Sequence, residues 1–173
     1  MAAFAVSCVM LAGCANVMEE GSDLLKEKNY TQAQEKFQKS IEKGKDLAEA
    51  YRGLGLCYWE QEEYEKAKDA FGKALDNGAV KTATIYNLLG LCELKLEHPE
   101  KAVYYFEEGQ KLPDGETELL QEMAFNLIVS YEKAGDYVTA REKLETYVST
   151  YPDDERAEKE LEFLNTQAPK TGE

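Results

Sequence analysis

The segment Ala48–Lys81, AEAYRGLGLCYWEQEEYEKAKDAFGKALDNGAVK, decides the fold. Its first half places Tyr51, Leu54, Gly55 and Tyr58 at helical spacing, so they share one helix face. Polar residues at Glu60–Glu63 break the pattern. The second half sets Tyr64, Ala67, Phe71 and Ala74 on one face of a second helix. Gly55 and Ala67 are small enough to let two antiparallel helices approach, and the aromatic residues fill the space beside them. A single pair of this kind leaves its apolar face uncovered, so further copies must stack on it.

Those copies emerge when the chain is aligned on the second-helix alanine. Ala33, Ala67, Ala102 and Ala140 mark it, followed four residues later by Phe37, Phe71, Phe106 and Leu144. Twelve residues ahead of the alanines lie Gly21, Gly55, Gly90 and Ile128, and three ahead lie Tyr30, Tyr64, Pro99 and Tyr137. The intervals are 34, 35 and 38 residues, which puts an insertion near Leu112–Leu120. There Pro113-Asp114-Gly115 signals a turn, with Asp114 expected to cap the helix that follows.

The order aromatic, Leu, Gly, Tyr, Ala, Phe, Ala resembles the tetratricopeptide repeat, whose period is about 34 residues. The resemblance implies an all-α fold, a right-handed α-solenoid of four helix pairs at 14–47, 48–81, 83–116 and 121–154. The outer copies depart from the pattern: Glu20 stands where the others have Leu54, Leu89 and Leu127, and Ile128 replaces the glycine. After Pro152, Asp153-Asp154-Glu155 opens a last helix with acidic residues at the positive end of its dipole. Ala157, Leu161 and Leu164 give that helix, 155–167, an apolar stripe that caps the final pair. The tail 168–173 has nothing to bury and reads as disordered.

Composition narrows the function. With 43% hydrophobic and 31% charged residues over 173 positions, the chain is globular. Its net charge of −14 argues against nucleic acid, whose phosphates need clustered Lys and Arg, and against polybasic attachment to anionic lipid. Residues 1–13, MAAFAVSCVMLAG, carry no charge and are too few to span a bilayer, but they suit a secretory apolar segment. Leu11-Ala12-Gly13-Cys14 resembles the bacterial lipoprotein signal. That resemblance implies a signal peptide over 1–13, lipidation at Cys14 with labelling by palmitate, and a lipid-anchored protein exported to the bacterial cell envelope. No Lys or Arg precedes the apolar run, a departure from the signal pattern. A buried N-terminal helix with an incidental cysteine is the other reading.

Chemistry is sparse. The only histidine, His98, falls in the turn before Pro99 and reads as a turn or cap residue. No zinc spacing, phosphate loop, calcium loop or serine elbow is present, so no cofactor, no metal site and no catalytic residue is expected, and the chain reads as no enzyme. Cys57 and Cys92 occupy equivalent positions, where the fourth repeat has Ser130. They are expected as buried thiols in tight slots rather than as a disulfide.

What remains is binding. In the tetratricopeptide family the first helices of successive pairs line a groove that holds a partner peptide or helix. Carried over by position, the resemblance implies Met18, Ser22 and Leu25 from the first pair, and Arg52, Leu56, Trp59 and Glu60 from the second. It adds Asn87, Leu91, Leu94 and Lys95 from the third pair, and Phe125, Val129, Glu132 and Lys133 from the fourth. The expected site is one contiguous surface built on Arg52, Leu56, Trp59, Asn87, Leu91, Leu94, Phe125 and Val129, with Trp59 as anchor. Only Arg52, Asn87 and Asn126 resemble the family's carboxylate-clamping set, so an amphipathic helix or an extended apolar segment of a partner protein is favoured. The expected function is a non-catalytic adaptor or scaffold. Self-association through the same groove, as a homo-oligomer, and an unrecognised hydrolase activity are the alternatives. Trp59 and Phe125 packing against neighbouring helices is the competing reading of those two residues.

Overall fold

The computed structural model describes the backbone of residues 9–167 and the side chains of residues 17–167. Among these residues the structure is all helix: α1 (Val9–Lys26), α2 (Tyr30–Glu42), α3 (Leu47–Glu60), α4 (Tyr64–Asp76), α5 (Ala83–Lys95), α6 (Pro99–Gln110), α7 (Thr117–Lys133), α8 (Tyr137–Thr150) and α9 (Glu155–Gln167). Two compact units divide the chain, Met1–Val80 and Lys81–Glu173. Within each, every helix packs on the next in sequence, and the first helices of successive pairs also meet, α1 with α3 and α5 with α7.

The close approach inside each pair has one repeated cause. A Cβ placed on Gly21 would fall 2.9 Å from the Phe37 ring, one on Gly55 2.7 Å from Phe71, and one on Gly90 2.6 Å from Phe106. Real Cβ atoms do not approach a ring that closely, so each first helix presents bare backbone where the second helix inserts its phenylalanine. Phe37, Phe71 and Phe106 are fully buried, as are Ala33, Ala67 and Ala102 one turn earlier. In the fourth pair the bulk is shared: Ile128 stands in place of the glycine and Leu144 in place of the larger phenylalanine, and both sit in one core cluster with Ala140, Ala157 and Leu164.

The turn inside each pair is equally regular. Lys28, Glu62, Glu97 and Gly135 hold positive φ angles of 60°, 60°, 60° and 80° at the same place in each repeat. Glycine adopts this left-handed backbone without cost; the other residues carry about 1–2 kcal/mol of steric penalty to do so. Glu20, the outlier of the first pair, is satisfied by Lys36 of α2 at 2.5 Å.

Asp114 corrects a sequence expectation. Its carboxylate accepts from the Ala83 N–H at 3.1 and 3.2 Å and so caps α5, with Thr82 Oγ1 accepting from the Ile85 N–H at 3.2 Å. The helix that follows Asp114, α7, has no side-chain cap. Burial decides the difference: Ala83 is completely enclosed, so its amide needs a partner inside the protein, whereas α7 opens on exposed Thr117.

Both core cysteines are buried and outside any disulfide, and burial pushes the Cys57 thiol up to about 11. His98 holds the N-cap position of α6, but its ring contacts the buried Glu93 carboxylate at 2.8 Å instead of capping. Helix α9 closes the chain on α8, burying Ala157 and Leu164. Asp154 fixes its start by accepting from the Arg156 amide at 3.0 Å and from the Tyr147 hydroxyl. The Arg156 guanidinium beside it holds the Asp154 carboxyl well below the usual carboxylate range. The backbone of α1 begins at Val9, ahead of Cys14. Residues 1–8, the tail 168–173 and the Cys14 side chain lie outside the described residues. Among the described residues no helix is long and apolar enough to cross a membrane.

Candidate partner-binding faces

In the first unit, Arg52, Leu56 and Trp59 lie at i, i+4 and i+7 and therefore line one face of α3. Leu56 is half-buried and opens, with Leu25 of α1 and Tyr30 at the start of α2, onto a cleft of about 270 Å³. Glu60 closes the cleft by accepting from the Tyr30 hydroxyl at 2.9 Å, and burial together with this bond raises the Tyr30 phenol pKa. Lys26 and Lys28 form its rim. Arg52 is exposed and paired with Glu49 at 2.7 Å, an exposed pair of the kind that contributes little and yields readily to a new partner. Trp59 is half-buried, its ring edge-on to Tyr64 at 5.3 Å.

In the second unit, Asn87, Leu91 and Leu94 occupy one face of α5 at the same spacing. Leu91 and Leu94 are partly buried against the cluster of Ala102, Phe106, Met123 and Leu127. Asn87 keeps a buried carbonyl oxygen with no hydrogen-bond partner in the protein. Phe125 and Val129 are half-buried on α7. Phe125 meets the Tyr147 ring edge-on at 5.6 Å and carries the Arg156 guanidinium over its face at 4.4 Å, so α8 and the start of α9 cover much of it. Glu132 is covered as well. One of its oxygens is buried without a partner, and the carboxyl faces Glu160 of α9.

The tetratricopeptide repeat pattern matches residues 13–78 and 46–112, and a second pattern of the same repeat matches residues 122–154. The chain belongs to the tetratricopeptide repeat family. Solved structures of this family share its fold at low identity. YrrB, a TPR protein with an unusual peptide-binding site, superposes with a TM-score of 0.76 at 24% identity over 87% of this chain and 75% of its own. MamA does so with a TM-score of 0.77 at 17% identity over 89% and 81%, and a double mutant of MamA from RS-1 with 0.78 at 15% over 91% and 85%. At these identities the likeness establishes the all-α repeat fold. No curated protein sequence matches the chain.

Tetratricopeptide periodicity located Leu25, Leu56 and Glu60, which the structure brings to one cleft. The groove positions carried over from the family did not include Tyr30, Lys26 or Lys28, because Lys26 ends α1, Lys28 lies in the turn and Tyr30 opens α2, outside the first-helix positions that were carried over. Among the described residues no group of His, Cys, Asp and Glu is placed to hold a metal ion.

The Glu132–Glu160 contact carries a pH signature. Burial is the larger cause and the neighbouring carboxylate adds to it, so the Glu132 carboxyl is held well above the ordinary carboxylate range. A carboxyl whose pKa rises on folding binds its proton more tightly in the native state, so stability falls as pH climbs from the unfolded pKa through the folded one. Chemical unfolding between pH 5 and pH 9 should therefore show wild-type stability declining as pH rises, while Glu132→Gln flattens the dependence and is the more stable of the two at the alkaline end.

Proposed function

We propose that this chain is a non-catalytic interaction scaffold that seats a segment of a partner protein against its first-helix faces. The observation that carries the reading is the cleft between α1 and α3, where Leu25 and Leu56 stay open to an external apolar side chain beside the Tyr30–Glu60 bond. Arg52 and Trp59 support it by extending the same face of α3, and both residue types are over-represented among those that dominate binding energy. YrrB, a structural relative, has a peptide-binding site; peptide binding is carried to this chain as part of the proposal. The tetratricopeptide repeat is in general an interaction module and not a catalytic one, which agrees with the sparse chemistry of the sequence.

The partner interaction is read by cross-linked capture from intact cells, with Leu56→Glu and Trp59→Ala beside wild type and Lys159→Ala as surface control. Each of the first two variants should weaken capture by about 2 kcal/mol or more while melting near the wild-type temperature. Unchanged capture, or unfolding of both variants, would remove the cleft as the site. Light scattering at several concentrations distinguishes a hetero-partner from self-association: a mass that doubles on concentration, and a Leu56→Glu chain that stays single, would favour the homo-oligomer.

The scaffold is further proposed to be an envelope lipoprotein anchored through Cys14. Support comes from the Leu11-Ala12-Gly13-Cys14 match and the uncharged run before it. Stable anchoring takes more than one acyl chain, which lipoprotein processing supplies. Cys14→Ala should move the protein from the membrane to the soluble fraction and abolish palmitate labelling. Labelling that persists in this variant would leave the cysteine incidental.

A further inference from the structure

The first unit has a second concavity, lined by α2, α3 and α4 and by no residue of α1. It has a volume of about 270 Å³, and its floor is formed by Tyr51, Leu54 and Tyr58 of α3 with Ile41 of α2 on one wall. On the opposite wall α4 contributes two lysines, each held over an aromatic ring. The Lys66 ammonium stands 5.4 Å from the centre of the Tyr58 ring and the Lys73 ammonium 5.7 Å from that of Tyr51. Being seven residues apart on one helix, the lysines are separated by roughly 10.5 Å along its axis. Lys66 is paired with half-buried Glu63, and among the described residues no carboxylate lies within ion-pair range of Lys73. In a chain of net charge −14, this is a place where two lysine ammonium groups flank a depression of mixed lining, with Tyr51, Leu54 and Tyr58 beside Gln38 and Asp69.

We infer that this concavity is a docking site for an acidic amphipathic helix of a partner protein, one carboxylate meeting Lys66, a second meeting Lys73, and an apolar side chain seated on Leu54 between them. The match is one of spacing and charge. On a helix, residues at i, i+4 and i+7 share a face and span the same axial distance as the lysine pair. The tyrosine rings hold the two ammonium groups in place before binding, so less side-chain freedom is lost on contact. Asp69, which also lines the site, lies between the lysines in sequence. It disfavours a third acid at the centre of the ligand and selects an uncharged residue there. The site is separate from the cleft between α1 and α3 and does not depend on the reading of that cleft.

The test uses the full chain and a fluorescein-labelled helical peptide with Glu at i and i+7 and Leu at i+4, followed by anisotropy. A matched peptide with Lys in place of both Glu residues serves as control. The acidic peptide should bind saturably, weaken with added salt, and bind at least tenfold more weakly to the Lys66→Gln/Lys73→Gln variant. Asp69→Asn should bind it more tightly, and Leu56→Glu, in the other cleft, should bind it as wild type does. Circular dichroism of each variant confirms that the helices are intact; the single Lys73→Gln variant serves if the double variant is not folded. Absence of saturable binding, equal binding of the lysine peptide, or indifference to the lysine substitutions would overturn the assignment. Loss with Leu56→Glu alone would place the peptide in the other cleft.

Discussion

The contact between a bare glycine on one helix and a phenylalanine ring from the next sets the geometry of this protein. Gly21 with Phe37, Gly55 with Phe71 and Gly90 with Phe106 repeat it at constant separation, and no side chain could stand where those rings lie. Because the ring is received by backbone, the pair is held at a fixed depth and register. That fixes where the next pair can rest. Within each unit it brings the first helices side by side, α1 to α3 and α5 to α7. The cleft at Leu25 and Leu56 is a consequence of that placement, since the residues facing it are those the interlocked faces leave over.

The fourth pair shows that complementary volume matters and not the particular residues. Ile128 and Leu144 occupy the glycine and phenylalanine positions and reach the same full burial, with the bulk shared between the two helices. Arg156 and Asp154 then close the end through a network that reaches Tyr147, Gln121 and Glu122. Polar closure suits a terminal pair, which has a neighbour on one side only.

The fold was legible in the sequence because a period of small and large residues encodes packing directly. Gly55, Ala67 and Phe71 announce their contact through spacing alone. The geometry of the candidate face was legible in part. Leu56 and Leu25 fall on the face their register predicts, but Phe125 and Glu132 share that register and are covered by elements whose position no repeat encodes. Arg156 and Glu160, which reach them, belong to α9, outside the period. Asp114 was misread for a related reason: a capping carboxylate is recruited by whichever buried amide lacks a partner, here Ala83, thirty-one residues earlier in the chain. Tyr30 does belong to the repeat, in the row with Tyr64, Pro99 and Tyr137, but its hydroxyl bond to Glu60 across to α3 is not encoded by that period.

The interlock is tested most directly by a double-mutant cycle on the third pair, with stability measured by chemical denaturation. Gly90→Ile drives a branched side chain into the Phe106 ring, and Phe106→Leu alone leaves unfilled space; together they reproduce the arrangement of Ile128 and Leu144. Complementary volume predicts that each single variant is destabilised, by about 1–3 kcal/mol for the overpacked one, and that the double variant is more stable than the two losses summed, by about 1 kcal/mol or more. Losses that simply add, within about 0.5 kcal/mol, would contradict the claim that these two positions hold the pair together.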